Sequence, residues 1–151
     1  MSAQIRRASV DDVHSLLAMM RELDEHEAIV FDEPRVRAAL GVLLADERYG
    51  RVWLVEGAGA APIGYVVLTL GYSLEFGGRD AFVDEIYLRE SHRGQGIAKQ
   101  ALAVLEGACR ELGVRALHLE VERKNARAQV VYRSAGFKDH DRYLMTKWLE
   151  Q

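Results

Sequence analysis

The hydrophobic positions change period several times along the chain, and each change marks an element. Ile5 to Ala8 predicts a short first strand. Val10, Val13, Leu16, Leu17 and Met20 then recur at helical steps, which predicts a helix with one buried face. Ser9 and Asp12 stand at capping-box spacing at its start, and the pattern fades near Asp24-Glu25-His26-Glu27. Pro34 suits the first turn of a second helix, with Val36, Leu40, Leu43 and Leu44 facing inward. The pattern next becomes strand-like. Residues 51–56, around Val52-Trp53-Leu54-Val55, and residues 63–70 predict a hairpin turning at Gly57-Ala58-Gly59-Ala60-Ala61-Pro62. Residues 71–80 read as a polar, glycine-containing connection. Phe82-Val83-Asp84-Glu85-Ile86-Tyr87-Leu88 predicts a buried strand.

Helical spacing returns with Ala98, Ala101, Leu102, Leu105, Ala108, Cys109 and Leu112, and Gly113 supplies a stop. Residues 116–121 alternate Leu117, Leu119 and Val121 against His118, Glu120 and Glu122, as a strand does. Asn125 can cap a helix running to Ala135 and ended by Gly136. Residues 137–141 and 143–149 predict a closing antiparallel pair. The order β-α-α-β-β-β-α-β-α-β-β points to a single α/β domain over residues 1–151, built around a mixed sheet.

Composition narrows the picture modestly. The chain has 151 residues, 49% hydrophobic and 28% charged, as an ordinary globular domain does. A formal net charge of -3 argues against general nucleic-acid binding, which calls for a basic face. Cys109 is the one cysteine, so neither an internal disulfide nor a cysteine zinc cluster can form, and its place on an apolar stripe predicts packing. His92 and His118 read as polar surface or paired residues, and no metal site is expected. No long apolar run and no signal-peptide start are present, so the expected location is cytoplasmic, away from membranes.

The candidate chemistry starts where the strand at 82–88 passes through Arg89-Glu90-Ser91 into His92-Arg93-Gly94-Gln95-Gly96-Ile97-Ala98. The first amides of a helix have no internal partners and carry partial positive charge, so a glycine turn placed there can hold an anion. Gly94 and Gly96 leave the amides uncovered, and Arg93, Arg89 and Lys99 add charge. A P-loop would end in Gly-Lys-Ser/Thr, which Gly94-Gln95-Gly96-Ile97 lacks. A dinucleotide fingerprint needs a third small residue and a later acid on the following strand, and it fits poorly.

A different pattern matches. Arg93-Gly94-Gln95-Gly96-Ile97-Ala98 resembles the Arg/Gln-x-x-Gly-x-Gly/Ala signature of the GCN5-related N-acetyltransferase (GNAT) family. Asn125, Ala128, Tyr132, Gly136 and Phe137 resemble its later Asn-x-x-Ala, helix tyrosine and Gly-Phe terminus. The resemblance implies a mixed, mostly antiparallel sheet flanked by helices, with a splay between the fourth and fifth strands. It also implies that acetyl-CoA is the co-substrate. Ile86, Tyr87 and Leu88 would meet pantetheine and acetyl as an added strand would. Arg93, Gly94, Gln95, Gly96, Ile97 and Ala98 would take the pyrophosphate, and Asn125 the cofactor arm.

The implied reaction is direct attack of a primary amine on the thioester in a ternary complex. A free alkyl ammonium has a pKa of roughly 10, so a carboxylate or a carboxylate-held water must take a proton. Glu85 ranks first for that role, with Glu120 and Asp84 behind it; water alone remains open. Asp84 and Glu85, as strand neighbours, should point to opposite faces. Tyr132 stands where family members place a tyrosine that protonates the departing thiolate; the alternative is a packed ring with a hydrogen-bonded hydroxyl. A backbone N–H of the splayed strand would stabilise the carbonyl oxygen.

In the family the acceptor site comes from the early helices and the loop before the cofactor strand, here residues 22–32 and 72–80. Asp24, Glu25, Glu27, Asp32, Glu75 and Asp80 would attract a cationic small molecule, a lysine or an N-terminal amine. Solvated acids at a helix end are the alternative. A homodimer is a common family habit. A non-catalytic acyl-CoA-binding module and a nucleotide- or nucleic-acid-binding domain are the rival readings.

Overall fold

A computed structural model describes residues 3–150. They fall into two compact units, Met1–Glu120 and Val121–Gln151. The first unit runs β1 (Gln4–Arg7), a 3₁₀ turn (Val10–Asp12), α1 (Val13–His26), α2 (Glu33–Ala45), β2 (Gly50–Glu56), β3 (Pro62–Ser73), β4 (Gly78–Leu88), α3 (Ile97–Glu111) and β5 (Ala116–Leu119). The strands lie in the order β1-β2-β3-β4-β5. The first three pairings are antiparallel and β4–β5 is parallel, so the expected mixed sheet is present.

The apolar runs in β2 and β3 are continuous because both faces of the sheet are covered. Val52, Leu54, Tyr65 and Val67 pack with Leu16, Leu17, Met19 and Met20 of α1 and Leu40 of α2. Their neighbours Val55 and Ile63 pack with Ile97, the first residue of α3. Ala101, Leu102, Leu105 and Cys109 continue the buried stripe of α3, so the cysteine serves packing as its position predicts.

Three local expectations are corrected. The capping box at Ser9 and Asp12 forms, but the chain first makes a 3₁₀ turn. Three residues per turn put Val10 out of phase with α1, and it is 66% exposed instead of facing inward. Residues 71–80 are not a free connection, because Gly71, Tyr72 and Ser73 pair with Asp80, Arg79 and Gly78. This end of the hairpin stands in water, so its polar composition hides the strand. The turn closes at Gly77 and Gly78, with φ of 82° and 150°, against the aliphatic stem of Arg115.

The third correction concerns the second unit. Its helix, α4 (Ala126–Ser134), is capped as expected, the Ala128 N–H donating to Asn125 Oδ1 at 3.1 Å. Gly136, at φ 100°, ends it in a paired turn: Phe137 N–H donates to Tyr132 O and Gly136 N–H to Arg133 O. The strands expected at 137–141 and 143–149 do not form. Tyr143, Leu144, Met145, Trp148 and Leu149 come in adjacent groups, which gives no single apolar face. An isolated two-stranded pair is marginal in water. Among the described residues, no helix is long and apolar enough to cross a membrane.

Candidate active site

The end of β4 is organised by a bulge. Val67 pairs with Glu85 while Leu68 pairs with Val83, so Asp84 is an extra residue without a partner on β3. On the other edge, pairing with β5 stops at Val83–Leu119. Residues 84–88 therefore extend beyond the last rung shared with β5, the separation expected between the fourth and fifth strands. Their outer edge carries main-chain groups available to an extended ligand.

The bulge also changes where the two acids stand. Asp84 is exposed, and Glu85 is half-buried on the face shared with Tyr65 and Tyr87. Tyr65 donates its hydroxyl to Glu85 Oε1 at 2.7 Å. Burial pushes the Glu85 carboxyl above the usual range; the Tyr65 hydrogen bond opposes that rise, while Asp84, Asp24 and Glu27 add to it. Asp84 is raised by desolvation despite its exposure, as is Asp24 on the last turn of α1. Of the acids expected to form an acceptor surface, Asp24 and Glu27 thus lie within the electrostatic range of Glu85. Asp32 caps α2 through the Arg35 N–H, and Asp80 pairs with His118 at 3.1 Å. Glu120 is exposed just beyond the end of β5.

Ile86, Tyr87 and Leu88 are half-buried along the free edge of β4. A small network ties this edge to α1. Glu22 accepts from the Tyr87 hydroxyl at 2.9 Å and takes Arg89 through Nε and Nη2 at 3.1 and 2.7 Å. Arg89 also donates to Pro62 O. It is therefore spent as a brace between α1 and the hairpin, not left to meet phosphate. Arg93 donates Nε to Leu88 O at 2.8 Å, and its guanidinium lies 5.8 Å from the Tyr87 ring centre.

The turn then enters α3 without a side-chain cap. Gly94 and Gly96 adopt φ of 78° and 80°, a left-handed conformation that favours glycine. Gly96 is the residue before the helix and offers no capping side chain. The first α3 bond runs from Gln100 N–H to Gly96 O at 3.1 Å. A Cβ built on Gly96 meets no atom within 4 Å. Arg93, Gly94, Gln95, Gly96 and Lys99 are exposed, Ile97 is buried and Ala98 half-buried. An uncapped helix start behind two left-handed glycines, flanked by Arg93 and Lys99, fits a diphosphate. In the second unit, Tyr132 is half-buried, with its ring edge-on to Phe137 at 6.2 Å. Desolvation raises its phenol, which keeps the proton on at neutral pH. Asn125 Oδ1 is engaged as the helix cap.

Sequence reasoning missed Tyr65 and Glu22. Tyr65 sits in the apolar run Tyr65-Val66-Val67-Leu68 and reads as core; only the cross-strand register reveals Glu85 beside it. Glu22 is 67 residues from Arg89 in sequence, so no local pattern joins them.

Residues 16–137 match the model of the acetyltransferase (GNAT) family. An uncharacterized N-acetyltransferase, YycN, of Bacillus subtilis is 43% identical over 63 residues, which span 42% of this chain and 40% of that protein. The thialysine N-epsilon-acetyltransferase of Bos taurus is 29% identical over 89% of this chain and 84% of its own length. The crystal structure of the integron cassette protein HFX_CASS3, from the mobile metagenome of Cole Harbour Salt Marsh, is 35% identical. It matches 98% of this chain and 91% of that one with a TM-score of 0.87.

Proposed function

Because the chain belongs to the acetyltransferase (GNAT) family, we propose that it transfers an acetyl group from acetyl-CoA to a cationic primary amine. The observation that carries this reading is the uncapped, left-handed glycine turn at the start of α3, continuous with the free edge of β4. Acetyl-CoA, when bound, supplies an acyl group already activated as a thioester. Residues 93–98 hold the diphosphate through main-chain amides, with Arg93 as the nearest side-chain charge. Ile86, Tyr87 and Leu88 line the pantetheine and acetyl, and a main-chain N–H on this edge stabilises charge developing on the carbonyl oxygen.

On this reading Glu85 takes the proton from the acceptor ammonium, directly or through one water. Its raised pKa brings it nearer to neutrality and makes it a better base than an ordinary carboxylate. Asp84 and Glu120 are second to it, because both are exposed whereas Glu85 is held by the Tyr65 hydroxyl. Tyr132, kept protonated by burial, returns a proton to the departing sulfur, and Asn125 contacts the cofactor arm. The whole of residues 1–151 acts as one acetyltransferase domain.

Asp24, Glu27 and Asp84 around Glu85 favour an acceptor with positive charge, whether a small diamine, a lysine side chain or an N-terminal amine. Similarity to thialysine acetyltransferases points the same way. An amine panel followed by release of free coenzyme A is expected to show turnover with cationic amines. Turnover confined to neutral or acidic amines refutes this acceptor class. Tyr132→Phe is expected to lower kcat roughly 10- to 100-fold with coenzyme A affinity unchanged; an unaltered kcat on every amine removes the acid role.

A further inference from the structure

One buried hydroxyl has no packing reason to exist. Tyr65 is fully buried in the α1 face of the sheet, where phenylalanine would fill the same space without a polar atom to satisfy. Among the described residues, its hydroxyl donates to Glu85 Oε1 at 2.7 Å. On the reading of Glu85 as base, we infer that Tyr65 is its positioning residue, fixing one carboxylate oxygen and holding the group in its proton-accepting form.

The geometry gives the pair little freedom. Tyr65 lies opposite Tyr87 in the β3–β4 register, and their rings stand 6.0 Å apart. The bulge at Asp84 sets Glu85 two residues back on the same face. Tyr65 is fully buried in one apolar cluster with Leu16, Met19 and Val67. Burial and the adjacent Glu85 push the phenol far up, so it donates across the whole working range. A donated hydrogen bond favours the charged carboxylate. It works against desolvation and against the negative groups facing Glu85, which are Asp84 on β4 and Asp24 and Glu27 on α1. Without the hydroxyl, all the remaining influences raise the carboxyl.

The test is Tyr65→Phe, with the Glu85 side-chain carboxyl followed by carbon-13 NMR titration and assigned by its loss in Glu85→Gln. The titration midpoint is expected to rise by about 0.5–1 pH unit. The acid limb of kcat/KM moves up with it, and KM for acetyl-CoA stays unchanged. A midpoint and an acid limb that both stay put overturn the inference. If the phenylalanine variant unfolds, difluorotyrosine introduced at position 65 replaces it. As a stronger donor it is expected to lower the midpoint, and no movement is again decisive against the pairing. The two readings separate cleanly. Full activity in Glu85→Gln removes the base assignment and with it any positioning role in catalysis. An acid limb present in the parent enzyme and absent from Glu85→Gln, together with a raised midpoint in Tyr65→Phe, supports both.

Discussion

Glu85→Gln is expected to reduce kcat/KM for the best amine by about 10²–10⁴-fold while leaving coenzyme A affinity within a factor of two. The size follows from what the carboxyl does on the proposed reading. At neutral pH nearly all of a free alkyl amine is protonated, so a site that removes that proton raises the reactive fraction by orders of magnitude. Glutamine keeps the shape and can still accept from Tyr65 through its carbonyl, so packing is little disturbed. The sign of the pH effect is fixed by the direction of the shift. The Glu85 carboxyl lies above the ordinary range in the folded protein, and activity should fall as pH drops through that raised value. In Glu85→Gln the limb should vanish. An unchanged limb would transfer the role to Asp84, Glu120 or water, and the same assay on Asp84→Asn and Glu120→Gln would separate these.

The parts of this molecule that sequence made legible are those whose causes are local. The capping residues Ser9, Asp32 and Asn125, the left-handed glycines and the stripe of α3 act within a few residues of themselves. A period of 3.6 or a glycine after a helix therefore reads directly. The turn at residues 93–98 was legible for the same reason, since a strand, two glycines and a helix start are contiguous. The alternation rule failed at Asp84 because a bulge depends on the neighbouring strand, where Leu68 pairs with Val83. It failed again at residues 71–80, whose pairing is paid for by main-chain bonds with no apolar signal to announce it. Arg89 looked like a phosphate ligand because its partner Glu22 lies on a distant helix.

The acidic surroundings were only half readable. Counting carboxylates at the end of α1 and in residues 72–80 suggested one broad anionic surface. Folding gives two of them partners: Asp32 caps α2 and Asp80 pairs with His118. Charge that is already paired attracts a cationic substrate weakly. The acceptor preference is therefore assigned to the smaller group around Glu85, and to Asp24 and Asp84 within it.

Gly96→Val should cost at least 100-fold in coenzyme A affinity by calorimetry, which is the larger share of its effect. Two causes act together. The left-handed φ of 80° is disfavoured for any residue with a Cβ by about 1–2 kcal/mol, and more for a branched one. The side chain would also project over the amides of the α3 start. In the protein itself that Cβ touches nothing within 4 Å, so steric conflict with the fold is not the reason for glycine here. Gly113→Val provides the matched control. Gly113 has φ 73° and is likewise open around its Cβ, yet it lies at the far end of α3. Both variants should lose comparable thermal stability, and only Gly96→Val should lose coenzyme A. Equal affinity in the two variants would mean that the turn does not hold the diphosphate, and the donor site would have to be sought elsewhere on the molecule.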